Sequence, residues 1–413
     1  MSSNRPAPLR VALVSEHASP LAELGGPDAG GQNVYVAQLA RRLSLRGHDV
    51  TVFTRRDGPD LPTEVTTPGG VKVVHVPAGP AARVPKDELL AFMPEFGAYL
   101  ARRWRAAPPD VVHAHFWMSG TAALAGVRGL PVPVVQTYHA LGTVKKRHQG
   151  EDDTSPSQRL AIEAAIGRSC RRVLATCADE VEELVAMGVD RDRVSVVPCG
   201  VDPRHFTPVP VPPRPAGAPR RLLAVGRLVR RKGYDRAIRA LAAVPDAELL
   251  IAGGPEADLL FADPEAERLR KVAEDHGVGD RVTLLGAVAH DRMPRLMSGA
   301  DLVLSLPDYE PFGIVPIEAM ACRTPVVATA VGGHLDTVVD GVTGALVPSG
   351  PAADHRLGDV IRTLLDDPRR LARYGRAGRD RVLAHYSWDR VADQVAHVYS
   401  AVRSTPTLSG AVR

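Results

Sequence analysis

Short runs of β-branched and aliphatic residues alternate with stretches of helical periodicity along almost the whole chain. In the first half "LRVALVS", "DVTVFT", "VKVVHV", "DVVHAH", "PVVQTY", "RVLATC" and "RVSVVP" read as strands. After the first of them, Val36, Leu39, Ala40 and Leu43 fall at i, i+3, i+4 and i+7, one face of a helix. Alternation of this kind predicts a parallel sheet with helices on both faces. The segment "FTPVPVPPRPAGAPRR" then interrupts the pattern, because so much proline suits neither a central strand nor a helix interior. Beyond it the alternation restarts with "LLAVGR", "ELLIAGG", "RVTLLG", "DLVLSL", "PVVATA" and "GALVP".

The pattern therefore predicts an α/β chain of two doubly wound, Rossmann-like lobes. The first covers residues 1–205, a stiff proline-rich linker 206–220, and the second lobe 221–385. "YSWDRVADQVAHVYSAV" supplies a closing amphipathic helix over 386–403, and residues 404–413 are expected to be a disordered tail. Ligands of such sheets bind beyond the carboxyl ends of the strands, so the cleft between lobes is the place to look for chemistry.

Composition narrows the function classes. A net charge of +4 over 413 residues does not predict a nucleic-acid partner, which wants a concentrated basic face. Neither a signal peptide nor a membrane span is expected, so stable membrane insertion is not predicted and a cytoplasmic location is. The four cysteines show no metal-ligand spacing and read as reduced. The oligomeric state, a homodimer included, is left open.

Three constellations carry candidate chemistry. "LGGPDAGGQNVYV" places Gly25, Gly26, Gly30 and Gly31 between a strand and a helix, as in a phosphate-binding loop. The spacing matches neither a dinucleotide fingerprint nor a P-loop, so a plain surface loop is an equal alternative. "VGRLVRRKGYD" ends a strand with Arg227 and Lys232, two cations suited to a diphosphate, or part of a solvated basic face. "PDYEPFGIVPIEAMACRTPVVAT" sets Glu310 and Glu318 around a Phe312-Gly313 turn that opens a helix. The pair suits the hydroxyls of a sugar ligand; two solvated glutamates are the alternative, less apt for Glu318 in its apolar surroundings.

"GGPDAGGQNVYV", "GRLVRRKG", "EPFGIVPIEAMACRTPVVAT" and "GGHLDTVVDGVTGALVP", in this order, resemble glycosyltransferase family 4. The resemblance runs from about Arg10 to Val402 and implies retaining enzymes of the two-lobe GT-B architecture. "GGQNVYV", "VPKDEL", "HAHFWMSG" and "TYHALGTVKKR" are most similar to the branch that holds sucrose-phosphate synthase and the D-inositol-3-phosphate glycosyltransferase of mycothiol biosynthesis. The resemblance implies a nucleotide-diphosphate sugar as donor and no metal or other cofactor. Gly30 and Gly31 would let the backbone approach the donor diphosphate, with Asn33 near the sugars. Arg227 and Lys232 would neutralise the leaving diphosphate, and Glu318 would hold the ribose hydroxyls. Glu310 and the N–H groups of Phe312, Gly313 and Ile314 would grip the donor sugar and its phosphate. His139 would stand beside the reacting centre; without the resemblance it reads as a satisfied, buried histidine.

The acceptor half departs from the pattern. Lys86 and Arg159 occupy the lysine and arginine positions that hold an acceptor phosphate in the mycothiol enzymes. Phe116 and Ala140 stand where a tyrosine and a threonine supply hydroxyls. The expected acceptor is therefore a small, polar, unphosphorylated cyclitol, aminocyclitol or secondary-metabolite core. Inositol 3-phosphate, held by Lys86, Arg159 and a cluster of Lys145, Lys146 and Arg147, is the alternative; the cluster is equally a solvated loop. A sugar-nucleotide epimerase and a non-catalytic sugar-nucleotide-binding protein are the competing classes. The first is disfavoured by the paired glutamates and the second by the presence of Arg227, Lys232 and Glu310 together.

Overall fold

The computed structural model describes residues 7–21 and 30–404, leaving out the side chains of 351–355. Gly25 and Gly26 and the expected tail from 405 onward lie outside the described residues. The chain divides into two compact units, one ending at residue 198 and regaining the chain at 388, the other covering 199–387.

In the first unit the strands are β1 (Arg10–Val14), β2 (Asp49–Arg55), β3 (Glu64–Thr66), β4 (Lys72–Val76), β5 (Val111–His115), β6 (Val134–Thr137), β7 (Arg172–Ala175) and β8 (Val194–Val196). They form one sheet in the order β3-β4-β2-β1-β5-β6-β7-β8, parallel except for β3. The helices are α1 (Gly31–Leu45), α2 (Met93–Ala106), α3 (Trp117–Gly126), α4 (Gly142–Gln149), α5 (Arg159–Ser169) and α6 (Ala178–Ala186). Residue alternation along the strands sorts the two faces. Ala12, Val14, Val112 and Ala114 join Phe96, Leu100, Trp104 and Ile166 in one core beneath α2, α3 and α5.

The second unit has β9 (Arg220–Val225), β10 (Ala247–Ala252), β11 (Val282–Gly286), β12 (Leu302–Ser305), β13 (Val326–Thr329) and β14 (Gly344–Val347), all parallel, in the order β11-β10-β9-β12-β13-β14. Its helices are α7 (Tyr234–Leu241), α8 (Pro264–Asp275), α9 (Met293–Ser298), α10 (Ile314–Ala321), α11 (His334–Thr337), α12 (Pro351–Leu365) and α13 (Pro368–His385). Leu222, Ala224, Leu249, Ile251, Leu302 and Leu304 pack here with Ile238, Leu241, Leu269, Ile361 and Tyr374. Two doubly wound, Rossmann-like units are thus what the apolar pattern predicts. No helix among the described residues is long and apolar enough to cross a membrane.

The last helix, α14 (Trp388–Ser404), belongs to the first unit. It lies on α1, with Trp388 edge-on to Tyr35 at 5.5 Å and Arg46 paired with Asp393 at 2.7 Å. It starts two residues later than the sequence suggests, because Tyr386 closes α13 and donates its hydroxyl to the Asp336 carbonyl at 2.8 Å.

Residues 199–205 and the proline-rich segment differ from a free linker. The N–H of Val201 bonds to the Tyr386 carbonyl at 2.8 Å, and that of Val209 to Ser298 Oγ at 3.1 Å. Arg214 forms an ion pair with Asp301, so the segment is fastened to the second unit. Proline removes donors, and the remaining N–H groups and side chains find partners on that unit.

Gly233 shows why a bare backbone is needed between Lys232 and α7. Its φ is +69°, and a Cβ there would collide with the Leu306 carbonyl oxygen. Gly233→Ala is therefore expected to destabilise the protein by about 2 kcal/mol or more. Gly30→Ala is expected to change stability by less than about 0.5 kcal/mol, since Gly30 has φ −104° and a Cβ there meets no described atom within 4 Å. Urea titration of the two variants checks both.

Candidate functional site

Each sheet reverses its strand order once, between β1 and β5 and between β9 and β12, and side chains beyond the strands' carboxyl ends gather at these points.

In the first unit, β1 leads into Glu16, whose buried carboxylate accepts from Ser119 Oγ and meets His17 Nδ1 at 2.7 Å. Gly30 caps α1. Its N–H donates to Asn33 Oδ1 at 3.1 Å, while Asn33 Nδ2 donates to the Ser19 carbonyl at 3.2 Å. Asn33 is buried, and its amide links the backbone of Gly30 to that of Ser19. A Cβ at Gly30 would meet no described atom within 4 Å.

Phe116 and His139 follow β5 and β6 and share a feature rare outside glycine, positive φ values of 79° and 62°. His139 Nε2 lies 3.0 Å from His115 Nδ1. Burial first, and then the neighbouring His17, lowers the His139 pKa to about 3, so the ring is neutral. The Phe116 ring is buried, with Lys86 Nζ 4.9 Å and the Arg159 guanidinium 5.2 Å from its centroid.

The three cations near Phe116 have different partners. Arg159 is buried, bonds Glu163 at 2.7 Å and donates to the Ala140 carbonyl at 2.6 Å. Lys145 pairs with Asp153 at 2.9 Å. Lys86 has no carboxylate within ion-pair distance among the described residues. Crowding by the protein, then Arg159 and Lys145, lowers its pKa. The basic cluster of the sequence is thus divided: Lys145 turns to this site, whereas Arg147 pairs with Glu183 on α6 at 2.7 Å.

In the second unit Arg227 follows β9, and Lys232 Nζ meets Glu310 Oε2 at 2.6 Å. Burial opposes ionisation of Glu310, but Lys232, Arg231 and His334 outweigh it and hold the carboxyl at about 2. Arg231, which the motif reading did not single out, stacks 5.1 Å from the Tyr309 ring and has a buried Nη1 with no partner among the described residues. Desolvation and then Arg231 lower the Arg227 pKa. Among the described residues, three cations thus share one carboxylate here.

Gly313, at φ +89°, ends the turn and opens α10, whose first N–H groups have no intrahelical partners. The turn is seated on Gly332 and Gly333, where a Cβ would strike the Glu310 and Phe312 carbonyl oxygens. Beneath it, buried His334 has Nδ1 at 2.9 Å from the Thr329 carbonyl and Nε2 at 3.2 Å from Ser305 Oγ. Glu318, on the second turn of α10, has no ion pair or hydrogen bond from its carboxylate among the described residues, and burial pushes its pKa up to about 8. No group of three or more His, Cys, Asp or Glu among the described residues could hold a metal ion.

Two family models and several known proteins match the chain. The model of Glycosyltransferase Family 4 matches residues 29–205, and that of Glycosyl transferases group 1 matches residues 212–381. The chain is 41% identical over 410 residues to D-inositol 3-phosphate glycosyltransferase 1 of Catenulispora acidiphila, covering 95% of this chain and 96% of the relative. It is 38% identical over 416 residues to D-inositol 3-phosphate glycosyltransferase of Mycolicibacterium smegmatis, covering 98% and 94%. Among solved structures, sucrose-phosphate synthase from Thermosynechococcus elongatus superposes with a TM-score of 0.85 at 32% identity, over 95% of this chain and 98% of that one. Anabaena HepE in complex with UDP and glucose shares the fold, with a TM-score of 0.72 at 20% identity over 95% and 100% of the two chains.

Glu318 gives the site a pH signature. Between the ordinary carboxyl value of 4.5 and about 8, the unfolded chain has lost this proton while the folded protein keeps it. Stability from this group therefore falls as pH rises through that window and levels off above it. Glu318→Gln removes the dependence, so the gain in melting temperature over the native protein is expected to grow from pH 5 to pH 8. A series of thermal melts across that range measures it; an equal difference at every pH contradicts the assignment.

Proposed function

The chain belongs to glycosyltransferase family 4 and is a hexosyltransferase, and from that premise we propose its substrates and the work of its residues. It moves a hexosyl or N-acetylhexosaminyl group from a nucleotide-diphosphate sugar to a small polar acceptor, an unphosphorylated cyclitol, aminocyclitol or secondary-metabolite core, with retention of anomeric configuration. The observation that carries the donor half is the surplus of Arg227, Arg231 and Lys232 over the single carboxylate of Glu310. A diphosphate supplies the missing negative charge, and it needs most stabilisation as it leaves.

In this reading Arg227, Lys232 and the N–H groups of Phe312, Gly313 and Ile314 hold the diphosphate. Glu310 accepts from sugar hydroxyls, and Glu318 accepts from the ribose. Gly30 and Gly31 admit the diphosphate to the backbone, Asn33 stands near the sugars, and His139 hydrogen-bonds the donor sugar. The bond between the anomeric carbon and the phosphate oxygen breaks. The acceptor oxygen forms its new bond on the same face, and its proton passes to the departing diphosphate. No metal or other cofactor takes part, and the reaction is placed in the cytoplasm.

The acceptor half rests on Phe116, Ala140, Lys86, Lys145 and Arg159. Phe116 and Ala140 offer no hydroxyl, and Arg159 and Lys145 already have carboxylate partners. A second reading, an inositol 3-phosphate acceptor as in the names of the relatives, is favoured by Lys86, whose ammonium has no such partner.

Nucleotide release decides between them. Purified protein is assayed with UDP-glucose, UDP-N-acetylglucosamine and GDP-mannose, each against inositol, inositol 3-phosphate and an aminocyclitol. Turnover is expected with the unphosphorylated acceptors; brisk turnover with inositol 3-phosphate alone supports the second reading. Hydrogen bonds to a charged group contribute about 1.5–3 kcal/mol each. Phe116→Tyr with Ala140→Thr should therefore raise kcat/KM for inositol 3-phosphate by about 100-fold or more. Arg227→Ala should lower kcat by about 100- to 1000-fold with any acceptor, measured by the same assay.

A further inference from the structure

Three histidines of the first unit form one connected run. Period-two alternation places His113 and His115 of β5 on the same face, with their rings 4.1 Å apart. His113 is held at both nitrogens, by Tyr399 of α14 at 2.7 Å and by Thr137 of β6 at 2.8 Å. His115 is fully buried; its Nδ1 faces His139 Nε2 at 3.0 Å, and its Nε2 has no polar partner among the described residues. Nδ1 of His139 has none either, but His139 is only partly buried and that nitrogen is not sealed from solvent. It is the one ring nitrogen of the three residues left for a ligand.

The proton positions follow from this arrangement. Burial and the adjacent rings lower all three pKa values, so each ring is neutral and carries one proton. A proton on His115 Nε2 would be a buried donor with no acceptor, a rarer and costlier orphan than a bare lone pair. His115 therefore carries its proton on Nδ1 and donates it to His139 Nε2. That nitrogen is then the acceptor, and His139 keeps its own proton on Nδ1.

We infer that His115 is a positioning residue: it fixes His139 as the Nδ1–H tautomer, which offers the substrate a hydrogen-bond donor and no basic nitrogen. His139 then steadies a sugar oxygen and does not take the acceptor's proton. Tyr399 and Thr137 hold His113, which backs the His115 ring, so the last helix contributes to the setting. The inference rests on the reading of His139 as a residue beside the donor sugar.

Nitrogen-15 NMR of histidine-labelled protein reads the tautomer directly, with His139→Gln used to assign the signals. The expected spectrum shows His139 protonated at Nδ1 and bare at Nε2; the reverse overturns the inference whatever the variants do. Kinetics supply the second readout, as UDP release from UDP-N-acetylglucosamine, with acceptor or by slow hydrolysis. His115→Asn keeps an amide donor where Nδ1 stood, whereas His115→Gln moves the amide to the Nε2 position. Asn is expected to retain kcat within about 3-fold and Gln to lose about 10- to 100-fold, with the donor KM unchanged for both. Equal losses, or none, overturn the positioning role. His139→Ala with full activity would instead remove the reading of His139 itself, a failure separate from the first.

Discussion

A parallel sheet that reverses its strand order leaves one place where the crossovers part to opposite sides and the strands' carboxyl ends stay uncovered. Here this happens twice, beside β1 and β5 and beside β9 and β12, and everything the molecule offers a ligand follows from it. Glu16, His115, Phe116 and His139 leave the first sheet at that edge, and Arg227 and Glu310 follow β9 and β12 of the second. Two of the three non-glycine residues with positive φ among the described residues, Phe116 and His139, stand at the first of these places, and the rigid sheet behind them keeps those conformations from relaxing.

Electrostatics at the second edge oppose folding. Arg231 lowers the tendency of Arg227 to hold charge and has a buried nitrogen with no partner among the described residues, and Glu318 is desolvated with no ion pair or hydrogen bond among them. In a structural role such groups would be replaced by apolar ones at little loss, because buried charge is weak support for a fold. The Lys232–Glu310 pair has a different part: it keeps the carboxylate ionised and holds the ammonium in place.

Where the sequence was readable, one physical signal dominated. Thirteen strands stand out as apolar runs, most of them buried, with β8 and β11 at the ends of their sheets only partly so; β3, with the polar stretch Glu64–Thr66 and a single antiparallel neighbour, carries no such signal. Proline marked the break after the first half, but not the ion pair to Asp301 that fastens the segment, since that partner lies far away in sequence. Motif spacing singled out Arg227, Lys232, Glu310 and Glu318 as candidates. It missed Arg231, whose stacking on Tyr309 needs three dimensions. His115 was visible as the second histidine of "HAH", and two residues apart on a strand means a shared face. Its importance depends on the His139 ring arriving from β6, which no local pattern reports.

Each unit has its own core, so a change such as tyrosine to phenylalanine at position 116 is absorbed within the first. The ring there stays buried between the cations of Lys86 and Arg159, and the strained turn it occupies is set by the backbone, not by a hydroxyl. Removing the hydroxyl therefore leaves the packing intact and alters only what the site can hydrogen-bond. Arg159 is held by Glu163 and the Ala140 carbonyl without help from a ligand. Lys86 alone of the three cations near Phe116 has no carboxylate partner among the described residues, so its charge is the one the fold leaves uncompensated.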